Sequence, residues 1–168
     1  ITPTSTVTPT STITPSVTVT VTPSTTVTPT QTITPSVTIT PSETITLPLR
    51  TGFTYNFTVD WGDGSALSTI TSDTDPDITH TYATAGDYTV TMIGTIEAWY
   101  FNNAGDKLKI IVVNDLGDVG WTNLEGAFFG CSVLETFAGG VTTNVMSMRQ
   151  MFQTTSAITS LDVSTFDT

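Results

Sequence analysis

The start of the chain, from Ile1 to Thr46, alternates between two kinds of side chain. Every even position from Thr2 to Thr46 holds serine or threonine, and prolines recur at every sixth position with one gap of eight. A period of six fits both a polyproline II helix and a β-strand. The gap of eight breaks a three-fold register but keeps the alternation, and β-branched residues favour pleated chain. The pattern therefore predicts a long extended N-terminal strand, or stalk, over residues 1–44, with a hydroxyl face and an aliphatic face.

The prolines of this segment share one edge of the predicted strand. All seven, from Pro3 to Pro41, lie at odd positions. Because proline has no backbone N–H, the missing donors fall on one edge and the other edge keeps every donor. Such a strand can pair on one side only, which limits runaway association. A lone strand cannot bury its apolar face, so an ordered strand needs partners: other copies, a neighbouring domain or a glycan coat. Pairing with other copies would give a homo-oligomer or filament.

The same composition allows a second interpretation of residues 1–44. A Thr/Pro-rich segment without charge is also typical of a disordered linker that carries O-linked sugars, as in a mucin stalk. Both interpretations leave the hydroxyl groups as glycosylation candidates. The candidates are Thr2, Thr4, Thr8, Thr14, Thr22, Thr28, Thr34 and Thr40.

The charge of the chain excludes several classes of partner. The net charge is −11, and the first charged side chain is Glu43. Nucleic-acid binding needs a basic face, so we expect no nucleic acid, and docking on anionic lipid is disfavoured for the same reason. No stretch approaches the ~20 apolar residues that cross a membrane, so no membrane insertion is expected within this sequence. The one cysteine, Cys131, cannot form an internal disulfide.

After residue 45 the sequence changes to short alternating runs separated by Gly and Asp turns, without a helical period. This pattern predicts a small antiparallel β-sandwich. Three blocks occur in order: Val59-Asp60-Trp61-Gly62-Asp63-Gly64-Ser65, His80-Thr81-Tyr82 and Gly86-Asp87-Tyr88-Thr89-Val90-Thr91. Together they resemble the polycystic kidney disease (PKD) domain, an immunoglobulin-like sandwich, over residues 45–95. The resemblance implies an extracellular spacer or adhesion module without catalytic residues, whose first strand is missing or comes from the Thr/Pro segment.

Several residues of this domain have structural roles in the prediction. Trp61 and Tyr82 are predicted core aromatics, and His80, the one histidine, is predicted to make a local hydrogen bond. With one histidine and no cysteine pair, neither a zinc site nor a catalytic triad is supported.

Two features of the same region suggest sites. Asp73, Asp75 and Asp77 form an acidic run that supplies the oxygen ligands that calcium prefers. The alternative is a solvated acidic loop, since Pro76 interrupts the run. Asn56 begins an Asn-x-Thr sequence and is therefore a further glycosylation candidate. Calcium is the one cofactor that the sequence suggests.

The last third of the chain contains a 24-residue repeat. The matching pairs are Leu124 with Met148, Ala127 with Met151, Phe128 with Phe152, Ser132 with Ser156, Leu134 with Ile158, and Phe137 with Leu161. Such a period is typical of solenoids. The pattern resembles the BspA-type leucine-rich surface repeat over residues 112–168, which implies an incomplete array with further repeats after Thr168. Residues 96–111 are predicted as connecting strands, and Cys131 as a small core residue.

These features together predict a mainly β, non-enzymatic structural subunit of an extracellular filament, stalk or fibre on a cell or virion surface. It assembles with itself and contacts a host or cell-surface protein or glycan. The alternative is a cell-surface or phage adhesin, in which the Thr/Pro segment is a flexible O-glycosylated tether. A carbohydrate-active enzyme would need a catalytic domain outside this sequence, because no paired catalytic carboxylates occur in a supporting context.

Overall fold

The computed structural model describes Thr10–Ser11, Val17–Thr18 and residues 43–166. The chain divides into two compact units, Ile1–Pro41 and Ser42–Thr168. The prediction of a mainly β protein is confirmed, because the described helical segments are two single 3₁₀ turns, Pro76–Ile78 and Lys107–Lys109. The strands are β1 (Thr10–Ser11), β2 (Val17–Thr18), β3 (Thr44–Thr46), β4 (Tyr55–Asp60), β5 (Ser68–Ile70), β6 (Thr79–Thr81), β7 (Thr91–Ile96), β8 (Val112–Val113), β9 (Thr136–Ala138) and β10 (Ser160–Asp162).

The two described strands of the N-terminal unit lie antiparallel. Thr10 is opposite Thr18, and Ser11 is opposite Val17, so even positions face even positions. This register is the one in which like positions of the alternating pattern pair with each other. The other residues before position 43 lie outside the described residues, and there the extended stalk stays a prediction.

The end of the Thr/Pro segment forms strand β3, which begins the second unit. β3 pairs antiparallel with β6, so that Ile45 is opposite His80. The side chain of Leu47, which follows β3, is buried in the core, and Ile45 packs against that core. The alternation of the segment is thus realised here as a pleated strand whose odd aliphatic side chains face inward.

A three-stranded antiparallel sheet, in the order β5-β4-β7, forms the centre of the second unit. β4 alternates as its sequence predicts: Tyr55, Phe57 and Val59 are buried, whereas Asn56 and Asp60 are exposed. Because side chains alternate across a strand, one face of β4 supplies the core and the other faces solvent. The buried side chains join one hydrophobic cluster that extends from Leu47 to Met151.

Three parallel strands follow the 24-residue period of the sequence. β9 lies between β8 and β10. Thr136 is opposite Val112 on one side and Ser160 on the other, so successive partners are one period of the repeat apart. The same spacing recurs where the N–H of Thr159 donates to the carbonyl of Glu135, and the N–H of Glu135 to that of Ile111. Consecutive 24-residue segments therefore lie in register.

Residues 97–111 do not form the predicted connecting strands. They contain one isolated bridge, from Ala98 to Asn123, and the 3₁₀ turn Lys107–Lys109. Asn102 and Asn103 both have positive φ angles, in the left-handed region that asparagine tolerates better than most residues. Asn102 and Asn103 lie in a turn in which the N–H of Ala104 donates to the carbonyl of Phe101. The N–H of Asn103 donates to the carbonyl of Phe129 and not to a neighbouring strand. The prediction of strands is wrong here because the turn-forming sequence Asn-Asn-Ala-Gly outweighs the apolar residues around it.

One glycine is required for the pairing of β4 with β7. Gly94 has a φ angle of 132°, and a Cβ atom there would lie 2.4 Å from the carbonyl oxygen of Asn56. We expect Gly94→Ala to lower the free energy of unfolding by about 3 kcal/mol or more, because both the backbone and the strand contact would be strained. Urea unfolding of the full chain measures this.

The matched control is Gly86→Ala, since Gly86 has no positive φ and a Cβ atom there would meet nothing nearer than 3.6 Å. We expect a change within about 1 kcal/mol for this control. Equal free energies of unfolding for the two variants would show that the β4–β7 contact does not depend on Gly94.

Candidate functional site

The hydroxyl face of β3 pairs with threonines of β6. The Oγ1 atoms of Thr44 and Thr81 lie 3.0 Å apart, and those of Thr46 and Thr79 are also 3.0 Å apart. Threonine pairs opposite each other stabilise neighbouring strands modestly. Thr44 and Thr46, the last two even positions of the Thr/Pro pattern, therefore make cross-strand hydroxyl hydrogen bonds.

The two backbone edges of β3 have different partners. The N–H of Leu47 donates to the carbonyl of Ile78 at 2.9 Å, so the backbone N–H and C=O groups of the odd residues point toward β6. The backbone groups of the even residues then point to the opposite edge, as alternation in an antiparallel pair requires. No strand among the described residues pairs with that outer edge.

Two charged side chains occupy the outer edge of β3 instead. The N–H of Thr46 donates to Oδ2 of Asp106 at 2.7 Å, and Nζ of Lys109 donates to the carbonyl of Thr44. Asp106 and Lys109 form an ion pair of 2.8 Å with each other. The carboxylate acts as acceptor and the ammonium as donor, as the backbone of a neighbouring strand would. Charged groups of this kind are a common means of protecting a strand edge.

The three sequence blocks of residues 59–91 meet in one aromatic cluster. Trp61 stacks on His80 with 4.8 Å between ring centroids, and Tyr82 stacks on Tyr88 at 4.1 Å. The hydroxyl of Tyr82 donates to the carbonyl of Trp61. The prediction that Trp61 and Tyr82 are core residues is confirmed, because both are buried. Buried aromatic rings of this kind contribute large apolar area to a core and so support the fold.

Asp63 and His80 form a local polar pair beside this cluster. Oδ2 of Asp63 lies 2.8 Å from Nε2 of His80, which confirms the predicted local hydrogen bond of that histidine. Hydrogen bonds from the side chain and backbone N–H of Ser65, and then from His80, hold the pKa of Asp63 well below its usual range, because they favour the charged form. The carboxylate is therefore kept charged in the folded state.

The acidic run of the sequence is engaged in loop structure. Asp75 accepts hydrogen bonds from the N–H groups of Asp77 and Thr71 and caps the 3₁₀ turn, and these contacts lower its pKa. Asp73 accepts from the hydroxyl of Thr51 at 2.7 Å. Among residues 43–166 and the four described before them, no three metal-ligating side chains converge. A calcium site at Asp73, Asp75 and Asp77 stays a prediction.

The glycosylation candidates fall in two regions. Asn56 lies on the exposed face of β4, opposite Thr95 of β7. The candidates before residue 43, from Thr2 to Thr40, lie outside the described residues. Glycosylation of either set stays a prediction.

Equivalent positions of the 24-residue repeat lie against each other. The rings of Phe128 and Phe152 stack with 5.8 Å between centroids and an interplanar angle of 11°, and Phe137 is the register partner of Leu161. Cys131 is buried, as predicted, and burial raises the pKa of its thiol to about 12. Because the thiolate is the reactive form, this thiol is unreactive at neutral pH.

The repeat positions become more exposed along the chain. Phe137 is fully buried, whereas its equivalent Leu161 is 50% exposed on β10. The predicted core residues Phe128 and Met151 are buried; Phe129, Met148 and Phe152 are half-buried. The last repeat of the described chain therefore presents apolar side chains that earlier repeats bury.

An open cleft of about 800 Å³ lies beside β3 within the second unit. Apolar side chains from residues 90–92 and 108–116 line it, together with Ile45, Leu47 and Trp99. The ring of Trp99 is buried, and its indole N–H has no hydrogen-bond partner among the described residues. Buried donors are normally paired, so this group is a candidate contact for a bound acceptor.

Sequence reasoning missed Asp106, Lys109 and Trp99 as candidate site residues. Opposite charges three positions apart are visible in the sequence as a local ion pair, but their contact with β3 joins distant parts of the chain. No local pattern reveals such a contact. The structure also describes no helix, within residues 43–166 or the earlier strands, that is long and apolar enough to cross a membrane.

Removal of the Asp63 carboxylate tests its role in stability. Because its folded-state pKa lies below the unfolded value of about 4, Asp63 stabilises the fold above that pH, and this contribution is lost as pH falls below it. We expect the urea midpoint of Asp63→Asn to fall less steeply between about pH 4 and about pH 2 than that of the unaltered chain.

The control for this prediction is Asp118→Asn, which removes an equal charge from an exposed position. We expect that variant to keep the pH dependence of the unaltered chain. Parallel curves for Asp63→Asn and the unaltered chain would contradict the assigned role.

The chain was compared with protein-family models, with curated proteins and with solved structures. None of the three comparisons gave a match. The function is therefore inferred from the residues of this chain alone.

Proposed function

We propose that the chain is a structural subunit of an extracellular surface filament, stalk or fibre. It self-assembles through its N-terminal Thr/Pro segment and displays the body formed by residues 43–166. The observation that carries this proposal is strand β3. There the even threonines of the alternating pattern pair with threonines of β6, while Ile45 and Leu47 face the core.

The same alternation runs without a break through the sequence that precedes β3. If those residues are pleated as β3 is, their hydroxyls share one face and their aliphatic and proline side chains the other. The even edge keeps every backbone donor, so strands can pair along it. β1 and β2 illustrate the matching of like positions, because Thr10 is opposite Thr18.

Charge favours assembly through this segment over assembly through the body. All 15 acidic residues and all four basic residues lie from Glu43 onward, so the second unit, Ser42–Thr168, carries the entire net charge of −11. Like-charged bodies repel one another, whereas uncharged strands do not. A fibre with paired strands inside and acidic bodies outside reduces that repulsion.

The displayed body is proposed to be a PKD-like sandwich joined to BspA-type leucine-rich repeats. The meeting of the three sequence blocks around Trp61, His80 and Tyr82 supports the first part. The in-register strands β8, β9 and β10 support the second part. Both modules imply an extracellular, cell-surface or virion-surface setting, contact with a surface protein or glycan, and no catalysis.

Assembly of the full chain tests this function. We expect regular fibres in negative-stain images and in sedimentation of the purified protein. Replacing two odd aliphatic residues, in the double variant Val37→Ser and Ile39→Ser, should raise the critical concentration for assembly at least about ten-fold. Each truncation removes apolar burial worth about 1.5–3 kcal/mol if the aliphatic face is buried in the fibre.

The matched control alters two even positions instead, in the double variant Thr38→Ser and Thr40→Ser. These changes keep both hydroxyls, and we expect a critical concentration within about three-fold of that of the unaltered chain. An unaltered chain that stays monomeric, or equal effects of the two double variants, would contradict the proposal. Either result would favour an adhesin with a flexible O-glycosylated tether.

A further inference from the structure

We propose that the cleft beside β3 receives the Thr/Pro segment of a second copy of the chain as an added strand. This inference rests on the proposed function and names the surface that receives the assembling segment. The occupant is an extended, uncharged strand from residues 1–41 of a neighbour. It pairs with the outer edge of β3 and places its aliphatic side chains in the cleft.

The backbone geometry of β3 carries the first step. The outer edge presents the N–H of Thr46 and the carbonyl of Thr44, held by the side chains of Asp106 and Lys109 and not by a strand. An incoming strand supplies the same acceptor and donor from its backbone and moves the two side chains aside. Strand addition of this kind uses main-chain hydrogen bonds for affinity and side-chain pockets for specificity.

The alternation of the segment fits this edge in one way only. The backbone groups of the even residues of β3 point to its outer edge. In the Thr/Pro segment every even residue has a backbone N–H, because all seven prolines lie at odd positions. Pairing even with even puts threonine opposite threonine, as in β3 and β6. The odd aliphatic side chains then lie on the same face as Ile45 and Leu47, which line the cleft, because side chains alternate across a strand.

The lining of the cleft suits such an occupant. Leu108, Ile111 and Val112 are exposed apolar residues on its wall. Contiguous apolar surface of this kind marks sites of association. Trp99 adds a buried indole N–H without a partner among the described residues. A buried donor is costly to leave unpaired, and Trp99 is one of the residues that line the cleft.

Charge distinguishes the second copy from other peptides of similar shape. The cleft also includes the acidic residues Glu43, Asp87 and Asp115. An acidic or strongly charged partner would meet repulsion or desolvation there, whereas residues 1–42 carry no charged side chain. The segment is also present once in every copy, so each subunit has one strand to donate and one cleft to fill.

Binding of a peptide to the full chain, held below its critical concentration for assembly so that the clefts are not filled by neighbouring copies, tests the inference directly. The probe is a fluorescent peptide with the sequence of residues 29–40, and the readout is fluorescence anisotropy. We expect saturable binding to the unaltered chain. A peptide of the same composition whose aliphatic residues no longer alternate with threonine should bind at least about ten-fold more weakly.

Two variants of the receiving chain locate the site. Ile111→Arg places a charge on the cleft wall and should weaken binding at least about ten-fold, whereas Ile93→Arg changes a 74% exposed residue outside the cleft and should not. Trp99→Phe removes the unpaired donor and should weaken binding about five-fold. Circular dichroism of each variant checks that the fold is retained.

Several results would overturn the inference. They are absence of peptide binding to the unaltered chain, equal binding of the two peptides, and equal binding by Ile111→Arg and Ile93→Arg. Occupation of the cleft by the chain's own segment would give the first of these results. Fibres formed equally by the unaltered chain and Ile111→Arg would refute the cleft as the receiving site but sustain the proposed function. Peptide binding by a chain that never forms fibres would sustain the cleft as a peptide-binding site but refute the proposed function.

Discussion

Strand β3 is the element on which the rest of this account depends. It belongs to the alternating Thr/Pro segment and, at the same time, to the first sheet of the described body. Its even hydroxyls pair with those of β6, its odd side chains contact the core, and its outer edge is held by Asp106 and Lys109. One strand therefore connects an uncharged segment to a charged body, and the pleat of β3 fixes which chemical group each of its sides presents.

The body behind β3 is held together by two kinds of packing that share one core. Around Trp61 the antiparallel strands enclose stacked aromatic rings, and around Phe137 the rings of Phe128, Phe152 and Phe166 pack edge-to-face or stacked. Arg50 links the two regions, because it lies over the ring of Tyr100 and donates to Asn123. The shared core explains how a body with little regular secondary structure still packs the residues of β3 against buried side chains.

Local patterns in the sequence predicted the features that depend on alternation or on a short repeat. The buried face of β4, the buried rings of Trp61 and Tyr82, and Cys131 follow from such patterns. The patterns could not predict the contact of Asp106 with β3, because it joins distant residues through the fold. They also misled at residues 97–111, where the left-handed conformations of Asn102 and Asn103 outweigh the apolar neighbours.

The most direct test of the assembling strand is residue-resolved amide hydrogen exchange over residues 30–42 of the assembled full chain. If strands pair along the even edge, the N–H groups of Thr32, Thr34, Thr38 and Thr40 exchange slowly. Those of the odd residues Ile33, Val37 and Ile39, on the proline edge, exchange much faster. Uniformly fast exchange, or equal protection at odd and even positions, would contradict the proposal that one edge of an alternating strand assembles this protein.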